Sequence, residues 1–428
     1  MKEYDVVVVG AGPGGLAAAV AARKNGAEKV LVLDRNPECG GVLLQCIHDG
    51  FGLVRYKEAL TGPEYAVRAS QEAVDCGIEI SNNTAVTGIT HDRIVTAVRN
   101  DGLLKVKAGA VVLATGCRER TRGALSIPGT RPAGVYTAGV VQNLVNIKNI
   151  MIGKRVVILG SGDIGLIMAR RLTLEGAKVL AVLEIMPQPC GLQRNISQCL
   201  YDFGIPIHVG HTVSKIIGKK KLEAIEYSKV DENLKVIPRT ATRLECDSLV
   251  LSVGLIPENE VALSAGVALD AKNNGVVTDE FLQTSVEGIF ACGNCRRVMD
   301  LADLVSQQGE LAGRNAASFI SGKPLSINEE KSSSFKKGFP PADTVICPLC
   351  PNGCSVTFTA DGSVEGNRCK RGAAYLNQER IDPRRTLTTT VKSPDGSLRP
   401  VKIPDVRKTE LIETVRKLNA GEMRHLIR

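Results

Sequence analysis

Short apolar runs alternate with longer small-residue or amphipathic stretches, and most of the apolar runs end at a glycine. Tyr4-Asp-Val-Val-Val-Val9 and Val30-Leu-Val-Leu33 read as buried strands, because their apolar residues run continuously instead of alternating with polar ones. Between them, the alanine-rich stretch Leu16 to Ala22 reads as a helix. Strand-like segments follow at Ile78-Glu-Ile80, Ala85–Ile89 and Ala110-Val-Val-Leu113. From Arg155 the pattern starts again. Val156-Val-Ile-Leu159 leads to a helix running through Glu175, and then to Lys178-Val-Leu-Ala-Val-Leu-Glu184. Further strands are expected at Ile205–Val209, Leu222–Lys229, Ser248–Val253 and Gly288–Cys292, and a helix from about Leu301 to Ile320. Strand–helix–strand alternation of this kind predicts an α/β protein.

The glycines give these elements a chemistry. Gly10-Ala-Gly12-Pro13-Gly14-Gly15 joins the first strand to the first helix, and Asp34 closes the second strand 24 residues past Gly10. In such a turn one glycine makes the bend, one lets backbone approach a pyrophosphate, and one lets helix pack on sheet. The acid accepts hydrogen bonds from an adenosine ribose. Gly160-Ser-Gly162-Asp163-Ile164-Gly165 repeats the arrangement, with Glu184 again 24 residues past the first glycine. Two copies of one unit form an internal repeat and call for two nucleotides. At the second copy no arginine follows Glu184 in Ile185-Met186-Pro187. A carboxylate there binds a 2′-hydroxyl and repels a 2′-phosphate, so NAD(H) is favoured over NADP(H). Gly254 ends a run that parallels the one ending at Gly116.

Composition narrows the class. The 428 residues are 43% hydrophobic and 4% aromatic, enough for two or three domains with their own cores. Most of the net charge of +9 is C-terminal: Lys331 to Arg428 holds 18 Lys+Arg against 10 Asp+Glu. A solvated basic face is the favoured reading of that excess. Nucleic acid ranks low as a partner, since no aromatic residues are interleaved with the basic ones. The long uncharged run Val6 to Ala22 is the first glycine motif itself, so no transmembrane segment is expected. Thirteen cysteines with no secretory signal ahead of them point to a reducing, cytoplasmic setting.

Four of those cysteines stand apart. Cys347, Cys350, Cys354 and Cys369 are spaced C-x2-C-x3-C-x14-C, so three thiolates can cover one face of a compact cluster while the fourth closes it from another loop. An iron–sulfur cluster is expected, with structural zinc as the alternative. Cys292 and Cys295 also make a C-x2-C, but within a glycine turn that argues against a metal. His91, His208, His211 and His425 lie in no motif and read as structural. Arg118 and Arg120 are candidates for holding an anion, with ion pairing at a domain interface the favoured reading.

The order of these motifs over residues 1 to about 322 resembles the two-dinucleotide-domain flavoprotein reductases of the thioredoxin and glutathione reductase superfamily. The resemblance implies a discontinuous FAD-binding domain at 1–117 and 284–322 and an NAD-binding domain at 118–283. A linker at 323–342 and a four-cysteine module at 343–428 would follow. It implies FAD contacts at Gly10 to Gly15, Asp34, Arg35, Gly41, Gln45, Val86, Ala114, Thr115, Gly116, Gly293, Asn294 and Gln307. The helix carrying Ser306-Gln-Gln-Gly309 would turn its N-terminus to the flavin pyrimidine ring, where a positive helix end stabilises the reduced flavin's anion. Asn294 departs from the family, which usually has Asp there. The redox-active C-x2-C or C-x4-C of the family's disulfide reductases is missing too, because Cys39 and Cys46 are separated by six residues.

The four-cysteine pattern, with Asn352-Gly353 and Cys369-x-x-Gly372, resembles the 4Fe–4S segment of molybdopterin oxidoreductases. Gln45-Cys-Ile-His-Asp-Gly-Phe-Gly52, Gly116-Cys-Arg-Glu-Arg-Thr-Arg122 and Gly160 to Arg170 are similar to NAD/FAD oxidoreductases that accompany glycerol-3-phosphate dehydrogenase-type flavoproteins. That resemblance implies electron transfer among NAD(H), FAD and a cluster, in complex with a second flavoprotein dehydrogenase subunit. Two alternatives remain open: a stand-alone NADH oxidase or peroxidase using Cys46 as its redox centre, and a non-catalytic redox-sensing subunit. Cys46 itself reads equally well as an inert buried thiol.

Overall fold

A computed structural model describes residues 1–327, 335–393 and 397–422, and these divide into two compact units: 1–118 with 255–327, and 119–254 with 335–393 and 397–422. The fold is α/β, with a glycine turn at the head of each unit. His425 lies outside the described residues.

In the first unit a sheet runs in the order Glu79–Ser81, Val30–Leu33, Lys2–Val9, Gly102–Leu113, Ile94–Arg99, Ala85–Ile89, and Ile289–Ala291 also pairs with Gly102–Leu113. Val6 is in register with Val30 and Ala110, and Val9 with Leu33 and Leu113. The parallel strands therefore finish level, and Gly10, Asp34 and Ala114 emerge at one edge. Both faces of the Lys2–Val9 strand are covered. Val6 and Val8 pack under the helices, while Val7 and Val9 pack against Val267, Val276 and Ile289. This is why the strand reads as an unbroken apolar run.

The helices Pro13–Lys24 and Ala302–Ile320 cross at backbone contact. A Cβ on Gly309 would stand 2.1 Å from the Gly14 carbonyl oxygen, and one on Gly313 would stand 1.9 Å from that of Ala18. A third helix, Gly62–Asp75, has no counterpart in the expectations above. Its signal is local: Thr61 and Glu64 form a capping box, with the Thr61 N–H donating to Glu64 Oε2 at 2.7 Å.

The second unit holds a parallel sheet in the order Val135–Thr137, Ser248–Leu251, Arg155–Leu159, Lys178–Glu184, Ile207–Val209. The helix Asp163–Leu174 follows its glycine turn, and an antiparallel meander His211–Gly218, Leu222–Lys229, Thr242–Glu245 sits beside the sheet. His208 and His211 pack with Tyr227 at ring separations of 5.8 Å. Burial, and then the neighbouring His211, lower the pKa of His208.

Three expected boundaries move. Residues 255–283, expected in the NAD-binding segment, belong to the first unit. Asn259 Nδ2 donates to the Cys295 carbonyl at 2.9 Å, and Ala262, Ala265, Val267 and Val276 fill the core beneath Val7 and Val9. The cysteine-bearing segment, expected as a module of its own at 343–428, falls in one compact unit with 119–254 over its described residues. Arg385 forks onto Asp202, Arg171 donates to Thr389 and Thr390 Oγ1 at 3.1 Å each, and Leu174 joins the core of the Arg384–Lys392 and Leu398–Arg407 hairpin. Thirdly, the expected linker is docked where it is described. Ser326 N–H donates to Asn315 Oδ1 at 2.8 Å, and Gln193 N–H donates to the Lys336 carbonyl at 3.1 Å.

Candidate functional site

At the first glycine turn Gly10 takes φ +108°, and a Cβ there would stand 2.4 Å from the Ala114 carbonyl oxygen. A Cβ on Gly15 would collide with the Gly10 carbonyl at 1.8 Å. Gly12 is different. It caps the helix Pro13–Lys24 without any side-chain bond, and nothing stands within 4 Å of where its Cβ would be. Two glycines thus make the turn possible, and the third leaves open space before a helix N-terminus. That is the cradle a diphosphate needs. Asp34 is buried beside it. Its Oδ2 accepts from Ala11 N–H at 2.6 Å and its Oδ1 from Asn36 N–H at 2.8 Å.

The other expected FAD residues gather unevenly around this edge. Gly41, φ +58°, comes so close that its Cβ would lie 3.3 Å from Gly12 Cα, and Gly40 N–H donates to the Ala11 carbonyl at 2.8 Å. Gln45 ends the short helical turn Gly41–Gln45. Ala114 N–H donates to the Val9 carbonyl at 2.9 Å, Thr115 Oγ1 donates to the Glu258 carbonyl at 2.7 Å, and Gly116 has φ +73°. Gly293 N–H donates to Gln308 Oε1 at 3.0 Å, and Asn294 Oδ1 accepts from Met299 N–H at 3.0 Å. Val86 is half-buried on the strand Ala85–Ile89. Arg35 lies exposed against Glu258 at 3.3 Å, and Gln307 is exposed.

Two residues were missed. Gln308, the neighbour of Gln307, is the buried side chain that holds Gly293. Asp303, 3% exposed in the first turn of the helix Ala302–Ile320, accepts from Gly52 N–H at 3.2 Å and Arg55 N–H at 3.1 Å. It ties the Asp49–Arg55 stretch to that helix. A buried acid at a helix start is a capping signal in the sequence, but its partners are about 250 residues away.

The second turn repeats the first with tighter bonding. Gly160, φ +96°, would place a Cβ 2.0 Å from the Ser252 carbonyl, and Gly162 caps the helix Asp163–Leu174 with no side-chain bond. Gly165 N–H donates to Ser252 Oγ at 3.1 Å. Glu184 is 4% exposed. Its Oε2 accepts from Ser161 N–H at 2.9 Å and from the Ser161 hydroxyl, and its Oε1 accepts from Met186 N–H at 2.9 Å. Asp163 Oδ1 accepts from Leu192 N–H at 2.8 Å, Ile164 is half-buried, and Gly254 has φ +101° with open space at its Cβ position.

None of the thirteen cysteines, all of them among the described residues, is in a disulfide. Cys46 is half-buried, pressed against Gly62, whose Cβ would stand 2.9 Å from that of Cys46. Burial pushes the Cys39 thiol up. Cys292 and Cys295 are fully buried, and burial raises both thiols. Cys295 Sγ lies 3.2 Å from the Cys292 carbonyl, a core contact. Arg118 is engaged by Glu260 at 2.7 Å and Glu258 at 3.4 Å, all within the first unit. Arg120 N–H donates to the Gly254 carbonyl at 3.0 Å.

In the four-cysteine segment, Cys347 and Cys354 are buried, Cys350 is half-buried and Cys369 is exposed. Cys347 N–H donates to the Cys354 carbonyl at 2.9 Å. Burial raises the Cys347 thiol, and Cys350, Cys354 and Cys369 each raise it further, so those three lie within electrostatic reach of Cys347. N–H groups of Gly372 and Arg371 lower Cys369, which caps the helix Lys370–Ile381. The donor set suits a thiophilic metal or cluster. Among the described residues, however, no three His, Cys, Asp or Glu side chains converge in a metal-holding arrangement.

Residues 4–309 match the family model described as pyridine nucleotide-disulphide oxidoreductase. An opine oxidase chain of Agrobacterium tumefaciens (strain Ach5) is 26% identical over 356 residues, covering 78% of this chain and 68% of that protein. Thioredoxin reductase of Listeria innocua is 26% identical, covering 74% of this chain and 94% of its own. The crystal structure of T. acidophilum thioredoxin reductase superposes with a TM-score of 0.61 at 25% identity, over 75% of this chain and 99% of that one. No helix among the described residues is long and apolar enough to cross a membrane. The match spans both glycine turns and reaches Gly309, where the two helices of the first unit cross; the chain belongs to the pyridine nucleotide-disulphide oxidoreductase family and is an FAD-dependent, nicotinamide-nucleotide-linked oxidoreductase.

Proposed function

We propose that the chain is the NADH-side subunit of a cytoplasmic flavoprotein complex. It exchanges electrons with NAD(H), and a cluster held by the four-cysteine segment would hand them on to a partner of the glycerol-3-phosphate dehydrogenase type. The observation that carries this reading is Glu184, a buried carboxylate bonded to the second glycine turn with no arginine after it. When bound, FAD supplies hydride exchange with a nicotinamide, and a 4Fe–4S cluster supplies one-electron exchange.

The chain's own residues position and select. Gly12 and Gly162 leave helix N-termini open to diphosphates, and Asp34 and Glu184 accept from ribose hydroxyls. Gln308 fixes the Gly293 turn, and Cys347, Cys350, Cys354 and Cys369 would hold a cluster, with zinc as the alternative. Stepping from two-electron to one-electron carriers is useful when the far partner is another redox protein. Two relatives named as opine oxidase subunits support a multi-subunit enzyme. The basic C-terminal stretch offers an acidic partner a docking charge.

Anaerobic mixing of the holoenzyme with NADH tests the reading. Flavin bleaching within seconds is expected, and a flavin that stays oxidised for minutes ends it. Co-purification from the native host should yield a second flavoprotein chain.

A further inference from the structure

Past Glu184 the chain turns back across the second glycine turn and is pinned there. Cys190 N–H donates to Ser161 Oγ at 2.9 Å, Leu192 N–H to Asp163 Oδ1 at 2.8 Å, and Asn195 Nδ2 to the same oxygen at 2.7 Å. This loop's outer edge is covered from the far end of the chain. Leu192 and Lys337 pair as an antiparallel bridge, Gln193 N–H donates to the Lys336 carbonyl at 3.1 Å, and Gln193 Nε2 donates to the Phe339 carbonyl at 3.0 Å. Gly338, φ +88°, lies so close that a Cβ would stand 3.0 Å from Gln188 Oε1. The backbone of 336–339 is therefore fastened to the loop that leaves Glu184.

Charge follows from that fastening. The Cys190 thiol, raised first by burial and then by Glu184, is lowered by Lys337, so both charges act on one atom at this loop. Between charges near a protein surface such interactions extend over a Debye length, about 8 Å at physiological ionic strength.

We propose that Lys337 is a specificity-determining residue of the nicotinamide-nucleotide site: its positive charge, delivered by the C-terminal segment to the loop behind Glu184, partly offsets that carboxylate's rejection of a 2′-phosphate. The assignment rests on the reading of the second turn as the NAD(H) site. Glu184 sets the preference for a 2′-hydroxyl, and Lys337 limits how strong the preference becomes. An exposed charge of this kind carries up to about 1 kcal/mol, roughly fivefold in affinity.

The test uses the full-length flavoprotein and two probes, 5′-AMP and adenosine 2′,5′-bisphosphate, with dissociation constants measured by calorimetry at low and high salt. Lys337→Glu should weaken the bisphosphate about fivefold or more while changing 5′-AMP less than about twofold, with the difference shrinking in high salt. Lys337→Arg should keep the wild-type ratio. An unchanged ratio in Lys337→Glu, with 5′-AMP still bound, overturns the role of Lys337 and leaves the coenzyme site standing. Wild-type protein that binds neither probe overturns both.

Discussion

Arg385 and Asp202 form a two-pronged ion pair, Nε to Oδ2 at 2.6 Å and NH2 to Oδ1 at 3.0 Å, with both side chains 4% exposed. Asp202 follows the helix Gln193–Cys199 of the nucleotide half, and Arg385 begins the C-terminal hairpin. A second acid, Glu379, and Lys408 complete a balanced cluster of two carboxylates and two cations. The pair locks the C-terminal hairpin onto Asp202 within the unit that carries Glu184.

Arg385→Ala should therefore lower stability by up to about 3 kcal/mol, because it leaves the buried Asp202 and the half-buried Glu379 sharing one cation, Lys408. Burial alone would raise the Glu379 carboxyl, but the Arg385 partner holds it below its usual value of 4.5. A depressed folded-state pKa stabilises above the unfolded value and is lost as pH falls through the folded one. Acid unfolding of the wild type should show this acid-side loss, and Arg385→Ala should not. Equal thermal stability in the two proteins would contradict the lock.

Gly309→Ala tests the helix crossing. A methyl group 2.1 Å from the Gly14 carbonyl must push the helix Pro13–Lys24 away, and the first glycine turn moves with it. Overpacking of this kind costs about 1–3 kcal/mol. The purified variant should unfold earlier and hold less FAD per chain; wild-type flavin content would remove the link between crossing and turn.

Coenzyme choice tests Glu184. The wild type should use NADH at least about tenfold better than NADPH in kcat/KM, a difference of about 1.4 kcal/mol. Glu184→Ala should narrow that gap by losing NADH efficiency and gaining NADPH efficiency. Equal use of both coenzymes by the wild type would contradict the assignment.

Cys354→Ser addresses the four-cysteine segment. Anaerobically reconstituted wild-type protein should bind iron and sulfide, and the variant should bind neither while its flavin is still bleached by NADH. One zinc and no iron in the native protein would contradict an electron-carrying role.

What local rules could decide was legible in the chain. Gly10, Gly12 and Gly15 with Asp34, and Gly160, Gly162 and Gly165 with Glu184, are spaced by the geometry of one strand–turn–helix–strand unit, so their chemistry is written in about 25 consecutive residues each. The same holds for the apolar runs of the two sheets, since a parallel strand buried on both faces reads as a near-continuous run of Val, Ile and Leu. Tertiary structure alone decided what meets across long separations. Nothing local says that Asn259 reaches Cys295, that Gln308 rather than Gln307 turns inward to Gly293, or that Asp303 holds Gly52. Nor does composition show that a basic, cysteine-bearing tail is fastened to the nucleotide unit through Arg171, Arg385 and the backbone of Lys336. Burying an arginine is costly unless its partners are in place, and those partners come from strands and helices that only the folded chain brings together.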